Sequence, residues 1–397
     1  MSDPGGSDMS TFYASLYHDI NVTGFVLWNL VSAYNPQLFA PDQGIFRAWW
    51  PWNGHYELSG RTWVMAHYTQ ATRPGWLFLR QGSGSGLLSG GGAYTAFVDP
   101  PSGGFTIVIV KPAGGADETA QFTLRGPAAA LTALHAVRST VTRSQNPDTA
   151  AYFLAQPDVP VAGGVFSLTL RPGDMWTLST LSTMRKGAAP VPPPAVPFPA
   201  SNYTDDFDSC PVDQEAAYFT DMSGVWECTD SGDATRGIVM RQAVPAKPVT
   251  WVAETRPFTV FTATANLTDT DVTVDINLPK AGDAALLGAR ATPNKSLPAQ
   301  NSMPGVWWQV DTTGAWVLRS AVAGAQLAAG TLAVAPAPGT WHTYRLLVSG
   351  NAATGFVDGV AAFTAVSVRG TPPAGFPGLG TGSWGQAVLF DRFALKA

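Results

Sequence analysis

At 397 residues the chain exceeds what one hydrophobic core normally serves, and it fits two or three domains. Its hydrophobic share of 45% supports packed interiors, while the charged share is only 13%, against a usual value of roughly 25%. A formal net charge of -5 gives no electrostatic basis for binding nucleic acid or an anionic membrane, and no segment is long and apolar enough to span a bilayer.

The amino terminus, MSDPGGSDMS, lacks the apolar stretch of a signal peptide. Met9, Phe12, Leu16 and Ile20 then recur at helical spacing and predict a helix over 9–19. The run TGFVLWNLV, 23–31, is almost continuously apolar, as expected of a strand covered on both faces in a parallel sheet. After an aromatic loop, AWWPWNGHYE, residues 61–72 predict a second helix that stops at Pro74-Gly75. Helix, buried strand and helix make a piece of an α/β layer that cannot cover its strand unaided.

From Gly75 onward the pattern turns to short alternating strands, helped by 41 glycines and 32 prolines along the chain. Residues 105–110 (FTIVIV) predict one strand. Phe166, Leu168 and Leu170 alternate ahead of Pro172-Gly173-Asp174, and 175–181 follows, which predicts a hairpin. Pro190 to Pro199 (PVPPPAVPFP) reads either as a semi-rigid spacer or as a loop lying on the sandwich surface. Beyond it Val272, Val274, Ile276 and Leu278 alternate with polar residues, as do Tyr344, Leu346 and Val348, and Asp358-Gly359 marks a hairpin. The fold class expected is therefore mainly β, with divisions at 1–73 (the α/β piece), 74–188 (a β-sandwich), 189–201 (a Pro-rich linker) and 202–397 (a second, jelly-roll-like sandwich).

Cys210 and Cys228 are the two cysteines; they read either as one disulfide closing the start of the last domain or as two separate thiols. Sequons at Asn21, Asn202, Asn266 and Asn294 are compatible with a secretory route, and such a body without a leader suggests an amino terminus lying further upstream. The 14 tryptophans are read first as core residues, although exposed indoles on a β scaffold also stack on sugars. The five histidines are scattered without metal spacing, and the glycine clusters at 82–92 lack the strand-to-helix setting of a phosphate loop.

Several words occur in one order along nearly the whole chain: WNLVSAY (28–34), PWNGHY (51–56), WVMAHYTQATRPGW (63–76), RKG (185–187), PFP (197–199), YTDDF (203–207), GVWE (224–227), MRQAVPAKPVTW (240–251) and LFDRF (389–393). Together they resemble the galactosylceramidases, glycoside hydrolase family 59. The resemblance implies the remnant of a (β/α)8 barrel, a β-sandwich and a lectin-like domain, in a lysosomal or secreted enzyme that removes galactose from galactosylceramide with retention. Its implied ligand is a glycosphingolipid or galactoside, with a lipid-presenting activator protein as a further partner of the full-length enzyme.

Retention requires two carboxyl groups roughly 5–5.5 Å apart, at the ends of barrel strands. The chain starts after both positions of the family pattern, so no catalytic residue is assigned. Its glutamates are Glu57, Glu118, Glu215, Glu227 and Glu254; only Glu57 falls in the barrel part, away from a matching position, and Asp8 lies too close to the WNL word. A C-terminal fragment, inactive alone, is expected; the alternative is a non-enzymatic carbohydrate- or glycolipid-binding protein. The resemblance makes Trp28 a wall for the galactose ring, where the bland reading is a core tryptophan. It makes Asp206, Asp208 and Asp391 ligands of a structural Ca²⁺, where the bland reading is turn aspartates. The sandwich loop that supplies a galactose-binding arginine in the family corresponds to KPAGGADETAQF, 111–122, which has neither Arg nor Cys.

Overall fold

The computed structural model describes residues 6–27, 30–33, 44–48, 52, 54–141, 149–188, 190–199, 201–249, 256–262, 266–292 and 303–397. The chain divides into two compact units, Met1–Tyr34 with Asp42–Ala195, and Asn35–Pro41 with Val196–Ala397.

In the first unit the seven-stranded sheet centres on Gly104–Val110, flanked by Asp174–Ser179 and Ala93–Asp99; Ala133–Thr140 and Leu154–Pro160 extend it on one side, Leu77–Leu79 on the other. Phe105, Ile107 and Ile109 point into a core shared with a two-stranded sheet, Glu118–Thr123 with Val165–Leu170, while Val108 and Val110 join a core beneath the helices. A strand covered on both faces needs apolar residues at every position, which accounts for FTIVIV. Helix α1 (Gly6–Ser15), continued by a wide turn at Leu16–Ile20, and helix α2 (Gly60–Thr69) form that outer cover through Met9, Tyr13, Tyr17, Trp63, Val64 and Tyr68. Buried His67 of α2 bonds Thr177 Oγ1 at 2.8 Å and Ser139 Oγ at 2.7 Å. Burial lowers its pKa to about 3, so it is a neutral tether between helix and sheet.

Two sequence expectations are corrected here. Over 23–31 the described residues form no strand before Val31; Val26 is fully exposed, and Leu30 is more than half exposed. Strand structure is confined to Val31–Ala33, paired in parallel with Phe46–Ala48, which pairs antiparallel with Glu57–Leu58. An apolar run gains sheet structure only where neighbouring strands supply hydrogen bonds, and here Phe25 and Leu27 pack instead against the core beneath the helices. The turn at Pro172-Gly173 does not close a hairpin either. Val165–Leu170 pairs with Glu118–Thr123, whereas Asp174–Ser179 pairs with Gly104–Val110 and Ala133–Thr140, so the turn carries the chain from one sheet to the other. Burial explains the split: Ser167 and Thr169 face water in the first strand, but the second is sandwiched between helices and sheet.

The proline stretch 190–199 has no regular structure and is held by its carbonyls, with His55 Nδ1 2.7 Å from Pro193 O and Tyr56 Oη donating to Pro190 O at 3.2 Å.

The second unit is two facing antiparallel sheets. One runs Trp226–Asp230, Ile238–Gln242, Leu389–Lys396, Thr270–Asn277, Trp341–Ser349, Ala352–Val357, Val360–Ser367, with Tyr203–Asp205 also on Leu389–Lys396. The other runs Phe219–Ser223, Phe258–Phe261, Phe376–Thr381, Ala284–Ala291, Pro304–Asp311, Ala315–Ala321, Gln326–Thr331. Val272, Val274 and Ile276 face Tyr344, Leu346, Leu287 and Trp308 in the core between them. Asp358 and Gly359 both have positive φ, 48° and 78°, and Val357 pairs with Val360 across them, which is the two-residue hairpin read from the sequence.

Cys210 and Cys228 are joined as a disulfide across a separation of 18 residues. A loop of that size restricts the unfolded chain by about 3 kcal/mol in the entropic model. Replacing both cysteines by serine is expected to lower the unfolding free energy by about 2–4 kcal/mol, read as a lower denaturant midpoint with an intact β circular-dichroism signal.

Candidate functional site

Trp28 lies outside the described residues, as do Glu254 and the sequon Asn294. Asn21, Asn202 and Asn266 are exposed. None of the ten described tryptophans is exposed, and Trp63, Trp226, Trp307, Trp308 and Trp316 are buried, so these indoles serve packing before any stacking on sugar.

The glutamates are spread among different tasks. Glu57 sits 3.8 Å from His55 Nε2. Glu118 receives hydrogen bonds from Lys111 Nζ at 2.8 Å, Ser89 Oγ at 2.7 Å and Gly90 N at 3.0 Å. Those donors, Lys111 foremost, hold its pKa down at about 2. Lys111 is itself buried, so this pair ties the strand end after Val110 to the turn at 89–90. Lys111 and Glu118 thus neutralise one another across the connection between their two strands.

Two cavities lined by described residues of the first unit are large enough to matter. A cleft of about 540 Å³ between its sheets is lined by Tyr94, Glu118, Gln121, Phe122 and Arg125. A groove of about 570 Å³ on the small sheet is lined by Val31, Phe46, Tyr56, Leu58 and Pro190 and is almost wholly apolar. Neither brings two carboxylates together, so the described residues contain no pair arranged for retaining hydrolysis there.

A third group lies in the second unit. Asp221 Oδ2 accepts from Trp226 N at 2.9 Å. Burial, with smaller contributions from the Glu215 and Glu227 charges, raises its pKa to about 7; burial raises Glu215 as well. A carboxyl that keeps its proton near neutrality occurs in active sites and also in structural ion networks.

The aspartates expected to hold Ca²⁺ do not gather. Among the described residues no three acidic, histidine or cysteine side chains form a metal cluster. Asp206 is exposed and accepts from Asp208 N; Asp208 Oδ1 accepts from Ile238 N at 2.9 Å; buried Asp391 pairs with Arg236 at 3.1 Å. Each of the three thus accepts a hydrogen bond from the protein. The residue that sequence reasoning missed is Arg236, for which TRG in a polar turn gives no local signal.

Comparison with known proteins places these features. Residues 1–70 match the model of glycosyl hydrolase family 59, and residues 221–397 match that of the galactocerebrosidase C-terminal lectin domain. The galactocerebrosidase of Mus musculus is 29% identical over 416 aligned residues, covering 100% of this chain and 59% of the mouse protein. That of Danio rerio is 30% identical, over 96% of this chain and 59% of its own length. The chain thus spans about three-fifths of the curated relatives it matches. A carbohydrate-binding module of Bacillus subtilis superposes on 45% of the chain with a TM-score of 0.33 and 15% identity, too remote to support a reading. Models of glycoside hydrolase family 59 thus match both ends of the chain, and with the end-to-end likeness to the galactocerebrosidases the chain resembles that family along its whole length.

Proposed function

We propose that the chain is the carboxyl-terminal part of a galactosylceramidase-type retaining glycosidase, and that alone it does not hydrolyse galactosides. The observation that carries this is the end-to-end match to galactocerebrosidases, of which the chain spans 59%, combined with the scattered tasks of its described glutamates. Retaining hydrolysis needs a nucleophilic carboxylate and a second carboxyl that first gives and then takes a proton. The described residues offer a scaffold for such a centre and a lectin-like sandwich, without that pair. The substrate class is a β-galactosyl sphingolipid. Such a lipid keeps its chains in a bilayer, so a lipid-presenting activator protein is the partner this reading expects.

The test is the 5′ end of the native transcript together with an assay on the 397-residue chain. An in-frame extension carrying two barrel-strand glutamates, with β-galactoside turnover only in the extended protein, is the expected result. A transcript starting at Met1, with tight and specific glycan binding by the inactive chain, would establish a binding protein instead.

A lysosomal site of action is part of the same proposal, and Asp221 bears on it. Its folded-state pKa is raised to about 7, so from the ordinary carboxylate range up to there the folded state holds a proton that the unfolded state has lost. Stability should therefore rise as pH falls from about 7 toward about 4.5, and Asp221→Asn should flatten that rise. Urea midpoints across this range check it; a midpoint that falls steadily with acidification in the wild type would contradict it.

A further inference from the structure

In the second unit Asp275 and Asp391 stand directly opposite each other on neighbouring antiparallel strands, Thr270–Asn277 and Leu389–Lys396. Asp391 is 1% exposed and Asp275 7%. Like charges facing across a sheet repel, and burial strengthens the repulsion, so a cation placed between them stabilises this register. Arg236 supplies it: its Nη1 donates to Asp275 Oδ2 at 2.5 Å and to Asp391 Oδ2 at 3.1 Å. The guanidinium carbon also lies 4.6 Å from the centre of the Trp341 ring.

The remaining oxygens are spoken for. Asp275 Oδ1 accepts from Thr343 Oγ1 at 2.6 Å, and Asp391 Oδ1 accepts from Arg392 N at 2.7 Å. Arg392 adds a second cation, its Nη1 3.8 Å from Asp275 Oδ2 and its Nε 3.9 Å from Asp391 Oδ2. Two guanidinium groups carry the charge of one divalent ion, so the pair of carboxylates is neutralised without a metal. Asp208 belongs to the arrangement indirectly. By accepting from Ile238 N it fixes the turn that carries Arg236, and a Cβ on Gly237 would overlap its Oδ1.

We infer that in this chain Arg236 occupies the position of a structural divalent cation, clamping the Asp275 and Asp391 strands, and that the lectin-like unit is held together independently of Ca²⁺. The clamp is a built-in cation site whose ligand is the protein itself.

The test uses the full chain. Wild-type protein is expected to show the same thermal midpoint in EDTA and in millimolar Ca²⁺, within about 1 °C, and no luminescence from Tb³⁺ sensitised through Trp341. Arg236→Ala leaves two buried carboxylates facing each other and is expected to lower the midpoint by roughly 5–15 °C. Arg236→Lys keeps a charged nitrogen but loses the planar guanidinium that lies over the Trp341 ring, and is expected to fall between them. A wild-type midpoint that rises with Ca²⁺, or sensitised Tb³⁺ emission from the wild type, would overturn the inference. So would an Arg236→Ala protein as stable as the wild type. Should that variant not fold, the wild-type metal measurements and Arg236→Lys still decide the question.

Discussion

The second unit depends on the strand Leu389–Lys396. It pairs with Tyr203–Asp205, Ile238–Gln242 and Thr270–Asn277, so one segment joins the opening strand of the unit to two later ones. Its inward residues Phe390, Phe393 and Leu395 are buried in the largest core, and its outward Asp391 sits under Arg236. Backbone pairing, apolar packing and charge neutralisation thus converge on eight residues. Phe393 also meets Phe219 and Phe261 at ring-centre distances of 5.2 Å, which couples the strand to the facing sheet.

How much of this could be read from the sequence depended on whether the deciding contact was local. Alternation at 272–278 and 344–348 reports which residues enter the core, and the structure follows it, although Asp275 and Asn277 on the opposite face are buried as well. The Asp358-Gly359 turn is legible because its backbone geometry favours those residue types. The failure at Pro172-Gly173 shows the limit. A tight turn fixes the direction of the chain but not the partners of the strands it joins, and those were chosen by distant burial. MWTLS at 175–179 lacks the alternation of the preceding strand, a sign of two-sided cover that could have warned of the split. The run at 23–31 failed for the converse reason, since hydrophobicity alone cannot supply neighbours.

The candidate site was less legible still. Asp391 can be marked as unusual from LFDRF, but its partner stands 155 residues away along the chain. No spacing rule connects Arg236, Asp275 and Asp391; only the register of two strands brings the acids face to face. Lys111 and Glu118 are seven residues apart, yet their pairing depends on the turn at 89–90 as a third member. The first unit makes a related point about architecture. Helices that, read locally, belong to an α/β layer also cover the outer face of the sandwich sheet, and the continuous apolar run at 105–110 records that double cover.

The central place of Leu389–Lys396 has a consequence for how the protein is made. Every strand it pairs with is synthesised before it, the first of them nearly two hundred residues earlier. Until it leaves the ribosome, Tyr203–Asp205 has no partner, Thr270–Asn277 is open along one edge, and Asp275 faces Arg236 without its second acid. The unit therefore cannot close progressively during translation. It must wait as an incomplete sandwich with exposed strand edges, the state in which chaperone binding matters most and in which a ribosome that stalls late releases a product unable to fold.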